Sequence, residues 1–166
     1  MRSRFIAGLL LAAALFAPAF ALADPTTVYV TRHGEKGEGK DPELTAQGQA
    51  RARMIATLLG KAGIRQVFST ATKRTQQTAK PTATLAGLEV QTYDPAKPQA
   101  VVDKIKASPG PTLLVGHSNT VPELVKLLGG ATVPPIGDDE FDRLYQVSIA
   151  ADGSVTTVLL TSIAAQ

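Results

Sequence analysis

Short apolar runs alternate along this chain with longer segments of helical periodicity. The runs predict strands at residues 28–30, 66–69, 89–93 and 112–115, rich in the β-branched and aromatic residues that suit a buried pleated surface. The segments between them predict helices from Thr45 to about Lys61, from about Ala71, over residues 98–107, and around Pro122. Pro122 would lie in the first turn of its helix, where proline is tolerated. This alternation predicts a single α/β domain: a three-layer fold with a mostly parallel central sheet and helices on both faces.

Two alternating runs, residues 144–150 and 155–162, close the chain. Asp152-Gly153 lies between them and predicts a tight hairpin, which would add an antiparallel edge to the sheet. The glycine- and charge-rich residues 34–42 and the proline- and acid-rich residues 133–141 predict exposed loops.

The first helix is expected to begin after Thr45 as N-cap. Its predicted core face consists of apolar residues at four-residue spacing with two neighbours: Ala50, Met54, Leu58, Ala62, Ile55 and Leu59. Arg51 and Arg53 are interpreted as solvated charges, with substrate contact as the minority alternative. Pro81 is expected to break or kink the second helix.

The first 23 residues have the pattern of a secretory signal. Arg2 and Arg4 precede an apolar segment, residues 5–16, and residues 21–23 offer a small-residue cleavage site. The apolar segment is shorter than the roughly 20 residues of a membrane span. We therefore predict export to the periplasm or the exterior, no membrane insertion after cleavage, and one mature domain over residues 24–166.

Charge and composition exclude several other functions. The net charge is +3 for 166 residues, and removing residues 1–23 takes away two arginines and no acid, which leaves +1. The sequence contains no run of Lys or Arg with interleaved aromatic residues, so it gives no sign of a nucleic-acid partner. The absence of cysteine excludes disulfides, thiol chemistry and a cysteine-ligated metal.

Chemically reactive side chains follow three of the predicted strands. Arg32 and His33 follow the first strand, Arg74 lies a few residues past the second, and His117 follows the fourth. Parallel strands end at one edge of a sheet, so these two guanidiniums and two imidazoles can converge on a phosphoryl group, whose oxygens match the arginine fork. Two histidines are too few for a typical zinc site, and arginines would repel a cation, so no metal is expected.

Four segments together resemble the histidine phosphatase superfamily, also called phosphoglycerate mutase-like. They are R-H-G-E at residues 32–35, L-T-x-x-G-x-x-x-A at 44–52, S-T-x-x-x-R-T-x-Q-T-A at 69–79 and V-G-H-S at 115–118. The resemblance covers residue 28 to about residue 128, and the chain is similar to the short phosphohistidine phosphatase-type members. It implies the phosphoglycerate mutase-like fold, with no cofactor.

The resemblance also implies residue roles. His33 would be the nucleophile, forming a covalent phosphohistidine, while Arg32, Arg74 and His117 would bind the phosphoryl oxygens. The attacking nitrogen of His33 needs a free lone pair, so its other ring N–H requires an acceptor such as a nearby backbone carbonyl.

The general acid is less clear, because the chain departs from the family pattern. Large acid phosphatases place Asp or Glu directly after the second histidine, where this chain has residues 118–120, Ser-Asn-Thr. Mutase-like members use a Glu in a longer insert, where only residues 86–99 are available here. Asp94 is the leading candidate, followed by Glu35 and then Glu140, although the short members manage without a dedicated acid.

The sequence thus predicts an exported, metal-independent phosphatase acting on a phosphomonoester or phosphoramidate. The substrate would be a phosphorylated small molecule or a phosphoprotein that reaches a shallow, open cleft. The alternatives are mutase-type phosphoryl transfer and a weakly active domain that binds phosphorylated ligands in the same pocket. No feature predicts the oligomeric state.

Overall fold

A computed structural model describes residues 25–163, so the predicted signal sequence lies outside the described residues. The elements in chain order are β1 (Thr26–Arg32), α1 (Ala46–Leu58), β2 (Gln66–Ser69), α2 (Lys73–Ala86), β3 (Gln91–Thr92), α3 (Pro98–Ala107), β4 (Thr112–Gly116), α4 (Val121–Leu127), β5 (Arg143–Ile149) and β6 (Val155–Thr161). Within residues 25–163, every helix is too short or too polar to cross a membrane.

The strands form one mixed six-stranded sheet in the order β3-β2-β4-β1-β5-β6. Strands β1, β2, β3 and β4 run parallel, while β5 is antiparallel to β1 and β6 is antiparallel to β5. The predicted α/β fold and its closing hairpin are confirmed. The carboxyl ends of β2, β4 and β1 are therefore neighbours at one edge of the sheet.

Helices cover both faces of the sheet, and each face has its own core. Helices α3 and α4 pack on one side, and that core includes Val28, Val30, Phe68, Leu114, Val102, Ile105 and Leu124. Helices α1 and α2 pack on the other, around Val67, Leu113, Val115, Ile55, Ala79 and Ala83. Strands β2 and β4 are buried along their whole length, which explains why their sequences are continuous apolar runs.

Helix α1 begins where predicted but presents a partly different face to the core. The Thr45 hydroxyl accepts a hydrogen bond from the Gly48 amide at 3.2 Å, as an N-cap does. The predicted apolar face was wrong at Leu58, which is 50% exposed, whereas Ile55 and Leu59 are buried as predicted. The buried residues of the helix are Gly48, Arg51, Ala52, Ile55 and Ala56. Small residues occupy both faces of this helix, so periodicity alone could not select the buried one.

Pro81 does not break helix α2, so that part of the prediction was wrong. The helix continues from Lys73 to Ala86 and ends at Gly87, a left-handed C-cap with φ of 68°. Residues on both sides of Pro81, including Thr78 and Thr82, are buried against the rest of the domain. We attribute the continuity to this packing, which offsets the single hydrogen bond that proline removes.

Candidate active site

Three neighbouring strands bring the predicted site residues to one edge of the sheet. Arg32 is the last residue of β1 and His33 follows it, while His117 directly follows β4. The His33 amide donates to the Gly116 carbonyl at 3.0 Å, which continues the β1–β4 pairing by one residue. The two imidazole rings consequently lie edge to face, with 5.4 Å between their centroids. Arg74 enters from the first turn of α2.

His33 is held in the state that a nucleophile requires. Its side chain is almost fully buried, and Nδ1 lies 2.8 Å from the Gly34 carbonyl oxygen. A carbonyl can only accept, so Nδ1 carries the hydrogen and Nε2 keeps a free lone pair. Burial and the nearby charge of Arg32 lower the pKa of His33 to about 4, although the Gly34 hydrogen bond opposes this shift. The ring is therefore neutral at pH 7.

Arg32 is fixed by the loop before β5, in which only Glu140 was predicted to have a role. Its Nη1 donates to the carbonyl oxygens of Gly137, Asp138 and Glu140 at 2.8, 2.9 and 3.0 Å. Its guanidinium carbon lies 4.1 Å from the centroid of the Phe141 ring, within cation–π range. We call residues 137–141 the Arg32 clasp. Backbone carbonyls carry no signature in residue type, so the sequence held no signal for this contact.

The clasp binds Nη1 of Arg32 and leaves its Nε without a partner among the described residues. Arg32 is 6% exposed, and this Nε is buried. The Nε of Arg74 is likewise buried without a partner there. A buried, unpaired N–H is costly, and an oxyanion is the ligand that two such guanidinium groups accept best.

His117 completes the group. Burial, followed by the charges of Arg74 and Arg32, lowers its pKa to about 4. Its amide donates to the Thr120 hydroxyl at 2.9 Å, and its Nε2 lies 3.0 Å from the Thr70 hydroxyl. The charges of both arginines act on both histidines, so the four side chains share one electrostatic environment.

The structure thus brings Arg32, His33, Arg74 and His117 together, as the strand ends indicated. The rim of this site includes the carboxylate of Asp41, 3.7 Å from Arg74 Nη1. The individual roles assigned to the four residues remain predictions.

Glu35, the second general-acid candidate, pairs with Arg51. Arg51 Nε donates to both carboxylate oxygens of Glu35 at 3.0 and 3.1 Å, and Arg51 Nη2 donates at 2.5 Å. Burial favours the neutral carboxyl, but the hydrogen bonds from Arg51 outweigh it and hold the pKa of Glu35 below its usual value. Arg51 also contacts the Ser162 carbonyl, so the interpretation of Arg51 as a solvated charge was wrong.

The other two acid candidates are also directed elsewhere. The Glu140 carboxylate accepts a hydrogen bond from the Gly137 amide at 2.7 Å and forms an ion pair with Arg143 at 2.6 Å. These two contacts lower the pKa of Glu140. Asp94 is exposed, and its carboxylate accepts from the Ala96 amide at 2.9 Å. Asp94 follows edge strand β3, which β2 and β4 separate from β1, so it lies roughly 14 Å from the strand of His33 by strand spacing.

Two glycines allow the segment after β1 to reach helix α1. A Cβ on Gly48 would lie 2.1 Å from the Glu35 carbonyl oxygen, and a Cβ on Gly34 would lie 2.9 Å from the Gly48 carbonyl oxygen. The Gly34 amide donates to the Thr78 hydroxyl at 3.0 Å. The glycine of the L-T-x-x-G segment is therefore required by close backbone approach beside His33.

Comparison with known proteins agrees with this geometry. The family model of the histidine phosphatase superfamily (branch 1) matches residues 28–95, which include Arg32, His33 and Arg74. Over these residues the chain matches the histidine phosphatase superfamily. No curated protein sequence matches the chain.

Several solved structures share the fold at low sequence identity. The protein histidine phosphatase SixA, complexed with tungstate, is 20% identical with a TM-score of 0.66, covering 82% of this chain and 97% of that one. A mycobacterial glucosyl-3-phosphoglycerate phosphatase is 17% identical with a TM-score of 0.65, covering 85% and 100%. The phosphoglycerate mutase of Bacillus anthracis is 15% identical with a TM-score of 0.64, covering 84% and 93%. The family, with this fold, supports phosphatase activity for the chain.

Proposed function

We propose that this chain is an exported, metal-independent phosphatase that forms a covalent phosphohistidine on His33. His33 Nε2 attacks phosphorus and the bond to the leaving group breaks. Water then attacks the phosphohistidine, which releases inorganic phosphate and restores the imidazole. The single observation that carries this proposal is the Nδ1–Gly34 contact of 2.8 Å, which leaves Nε2 of a buried, neutral ring free to attack.

Arg32, Arg74 and His117 supply the remaining catalysis. The unpaired Nε groups of both arginines would bind the phosphoryl oxygens and stabilise the charge that spreads over them during in-line transfer. Because the clasp already immobilises Arg32, this guanidinium needs little reorganisation when the substrate binds.

The nucleophile assignment is tested with a generic aryl phosphate at pH 5 to 8. We expect turnover that chelator does not affect, inhibition by vanadate, and a loss of at least about 1,000-fold in kcat for His33→Ala. Quenching in alkaline denaturant, which preserves the acid-labile N–P bond, should trap up to one phosphoryl group per wild-type chain and none in the variant. Normal turnover by His33→Ala would remove the assignment, while stoichiometric phosphate binding without turnover in the wild type would favour the binding-domain alternative.

The surroundings of the site favour substrates whose leaving groups need little protonation. Arg51 keeps Glu35 ionised, and Arg143 keeps Glu140 ionised. Asp94 follows the edge strand β3, which two strands separate from β1. Such leaving groups include the imidazole of a phosphohistidine and acidic phenols, so we propose a phosphoramidate or an activated phosphomonoester. SixA, one of the structural neighbours, is a protein histidine phosphatase, which agrees with this substrate class.

A series of aryl phosphates tests the leaving-group proposal. We expect log kcat/KM to fall steeply as the pKa of the phenol rises, and phosphoramidate to be hydrolysed faster than any alkyl phosphate. If kcat/KM did not change with the pKa of the phenol, a general acid would be protonating the leaving group. Asp41→Asn and Asp138→Asn variants would then identify it, since Asp41 lies beside Arg74 and the charge of Asp138 acts on Arg32.

Mutase-type transfer and export are tested separately. A mutase would move the phosphoryl group to a second hydroxyl of the same substrate, whereas the proposed phosphatase releases inorganic phosphate. For export, N-terminal sequencing of the exported protein is expected to begin at Asp24. A start before Ala21 would contradict the proposed cleavage.

A further inference from the structure

The Thr70 hydroxyl is in direct contact with one of the two histidines of the site. Thr70 directly follows strand β2 and is 1% exposed. Its Oγ1 lies 3.0 Å from His117 Nε2 and 2.8 Å from the Thr75 hydroxyl. A hydroxyl has one proton to donate, so the partner that receives the Thr70 proton determines what His117 must do.

Thr75 determines where the Thr70 proton goes. The Thr75 hydroxyl lies 3.0 Å from the Thr70 carbonyl oxygen and 2.9 Å from the Thr72 carbonyl oxygen. Neither carbonyl can donate, so the single Thr75 proton is directed to one of them, and Thr75 Oγ1 is left as an acceptor toward the hydroxyls of Thr70 and Thr72, which lie 2.8 and 2.9 Å away. Thr70 therefore donates to Thr75, and its own oxygen is free to accept from His117.

We propose that Thr70 is a positioning residue that fixes His117 as the Nε2–H tautomer. The hydrogen bonds run in one direction, from His117 Nε2–H to Thr70, from Thr70 to Thr75, and from Thr75 to a backbone carbonyl. In this arrangement Nδ1 is the unprotonated ring nitrogen, and any proton that His117 acquires must arrive there. The Thr70 bond also fixes the ring beside His33, whose centroid is 5.4 Å away.

The tautomer can be measured directly, because the chain contains only two histidines. In the full chain labelled with ¹⁵N-histidine, the imidazole nitrogen shifts and long-range couplings identify which nitrogen carries hydrogen. Above pH 6 we expect His33 as the Nδ1–H tautomer and His117 as the Nε2–H tautomer. A wild-type His117 in the Nδ1–H form would overturn the inference, and this measurement needs no variant to fold.

Substitutions test whether the hydroxyl does the positioning. Thr70→Val removes the hydroxyl and keeps the branched shape, and we expect a mixture of His117 tautomers. Thr70→Ser keeps the hydroxyl and should restore the wild-type tautomer. The matched control is Thr82→Val, since Thr82 is also a buried threonine but its hydroxyl has no hydrogen-bond partner among the described residues. We expect this variant to leave the His117 spectrum unchanged.

The activity measurement rests on the proposed phosphatase function, whereas the spectroscopy does not. We expect Thr70→Val to lower kcat about tenfold, because a displaced imidazole stabilises the transition state less well, with a change in KM below about threefold. Thr70→Ser should remain within about twofold of wild type. An unchanged tautomer together with unchanged kcat in a folded Thr70→Val would overturn the inference. An inactive wild type with the expected tautomer would instead overturn only the proposed function.

Discussion

At the scale of single residues, Arg51 shows where polar patterning misleads. Its positive charge suggested a solvated position, yet its side chain is 8% exposed and pairs with Glu35. A signal did exist: Gly48, Arg51, Ala52 and Ile55 lie on one helical stripe, and the stripe contains the glycine that approaches Glu35. The pair fixes the segment after His33 to helix α1.

Breaking the Glu35–Arg51 pair is expected to reduce stability more than catalysis. Arg51→Ala should lower the free energy of unfolding by about 3 kcal/mol, because it leaves a mostly buried carboxylate unpaired. The double variant Glu35→Gln/Arg51→Met, which removes both charges, should lose less. Urea denaturation gives these values. If Glu35 were the general acid, Glu35→Gln would abolish turnover of poor leaving groups at nearly unchanged stability.

The site residues that could be predicted from sequence are those whose side chains carry the chemistry. Arg32, His33, Arg74 and His117 follow strand ends, and the sheet brings them together. Thr70 could not be predicted as a contact of His117, because a threonine after a strand is more often part of a turn or a cap. The hydrogen-bond partners of the acid candidates could not be predicted for a related reason: a carboxylate's partners depend on tertiary contacts that periodicity does not show.

At the scale of elements, the segment between α4 and β5 holds more of the site than its composition suggested. It was correctly predicted to be a loop, but it supplies three carbonyl oxygens and an aromatic ring to Arg32. The Glu140–Arg143 ion pair and the Glu140 contact with the Gly137 amide hold the loop in shape. A connection between elements here holds the Arg32 guanidinium in place.

The Phe141 ring is expected to matter for catalysis through Arg32. Phe141→Leu should lower kcat/KM about tenfold, because the guanidinium loses its cation–π contact and becomes free to move away from the phosphoryl group. Phe141→Tyr retains the ring and should remain within about threefold of wild type. Steady-state kinetics on an aryl phosphate measures both. Equal activities for the Leu and Tyr variants would show that the ring does not position Arg32.

The contact between the β1 end and helix α1 is equally sensitive. Gly48→Ala places a Cβ 2.1 Å from the Glu35 carbonyl oxygen, so the backbone must shift, and we expect a loss of about 2–3 kcal/mol in unfolding free energy. Gly37→Ala is the control, because its nearest neighbour would be 3.9 Å away, and it should change stability by less than about 0.5 kcal/mol. Thermal unfolding compares the two. A stabilised Gly48→Ala would refute the close approach.

At the scale of the whole molecule, the order of strands along the chain was enough to predict the class of fold. The parallel strands have near-continuous apolar runs and the closing hairpin has a turn signal, so both could be predicted from the sequence. The pairing of β5 with β1 could not be predicted from the sequence, since strand partners depend on tertiary contacts. That position matters for function: it makes β1 an interior strand and brings the clasp over Arg32.

The fold holds one buried and one half-buried imidazole in the neutral form, and this should make its stability depend on pH. The pKa of His33 and of His117 is about 4 in the folded chain, below the ordinary value of 6.5. Between pH 6.5 and 4 the unfolded chain therefore binds more protons, and stability falls as pH falls, by at most about 1.4 kcal/mol per pH unit for each histidine. Glu35 and Glu140, whose pKa values are lowered, add their losses only below about pH 4.5.

Urea denaturation at pH values from 7 to 5 isolates the histidine contribution. We expect the unfolding free energy of the wild type to decrease across this range, and His117→Gln to show a shallower decrease, because one titrating ring is gone. Saturating phosphate should also flatten the curve, since an anion between the arginines favours the protonated rings. A wild-type stability that is constant from pH 7 to 5 would mean that the two histidines are solvated in solution, and the arrangement of the site described above would then be wrong.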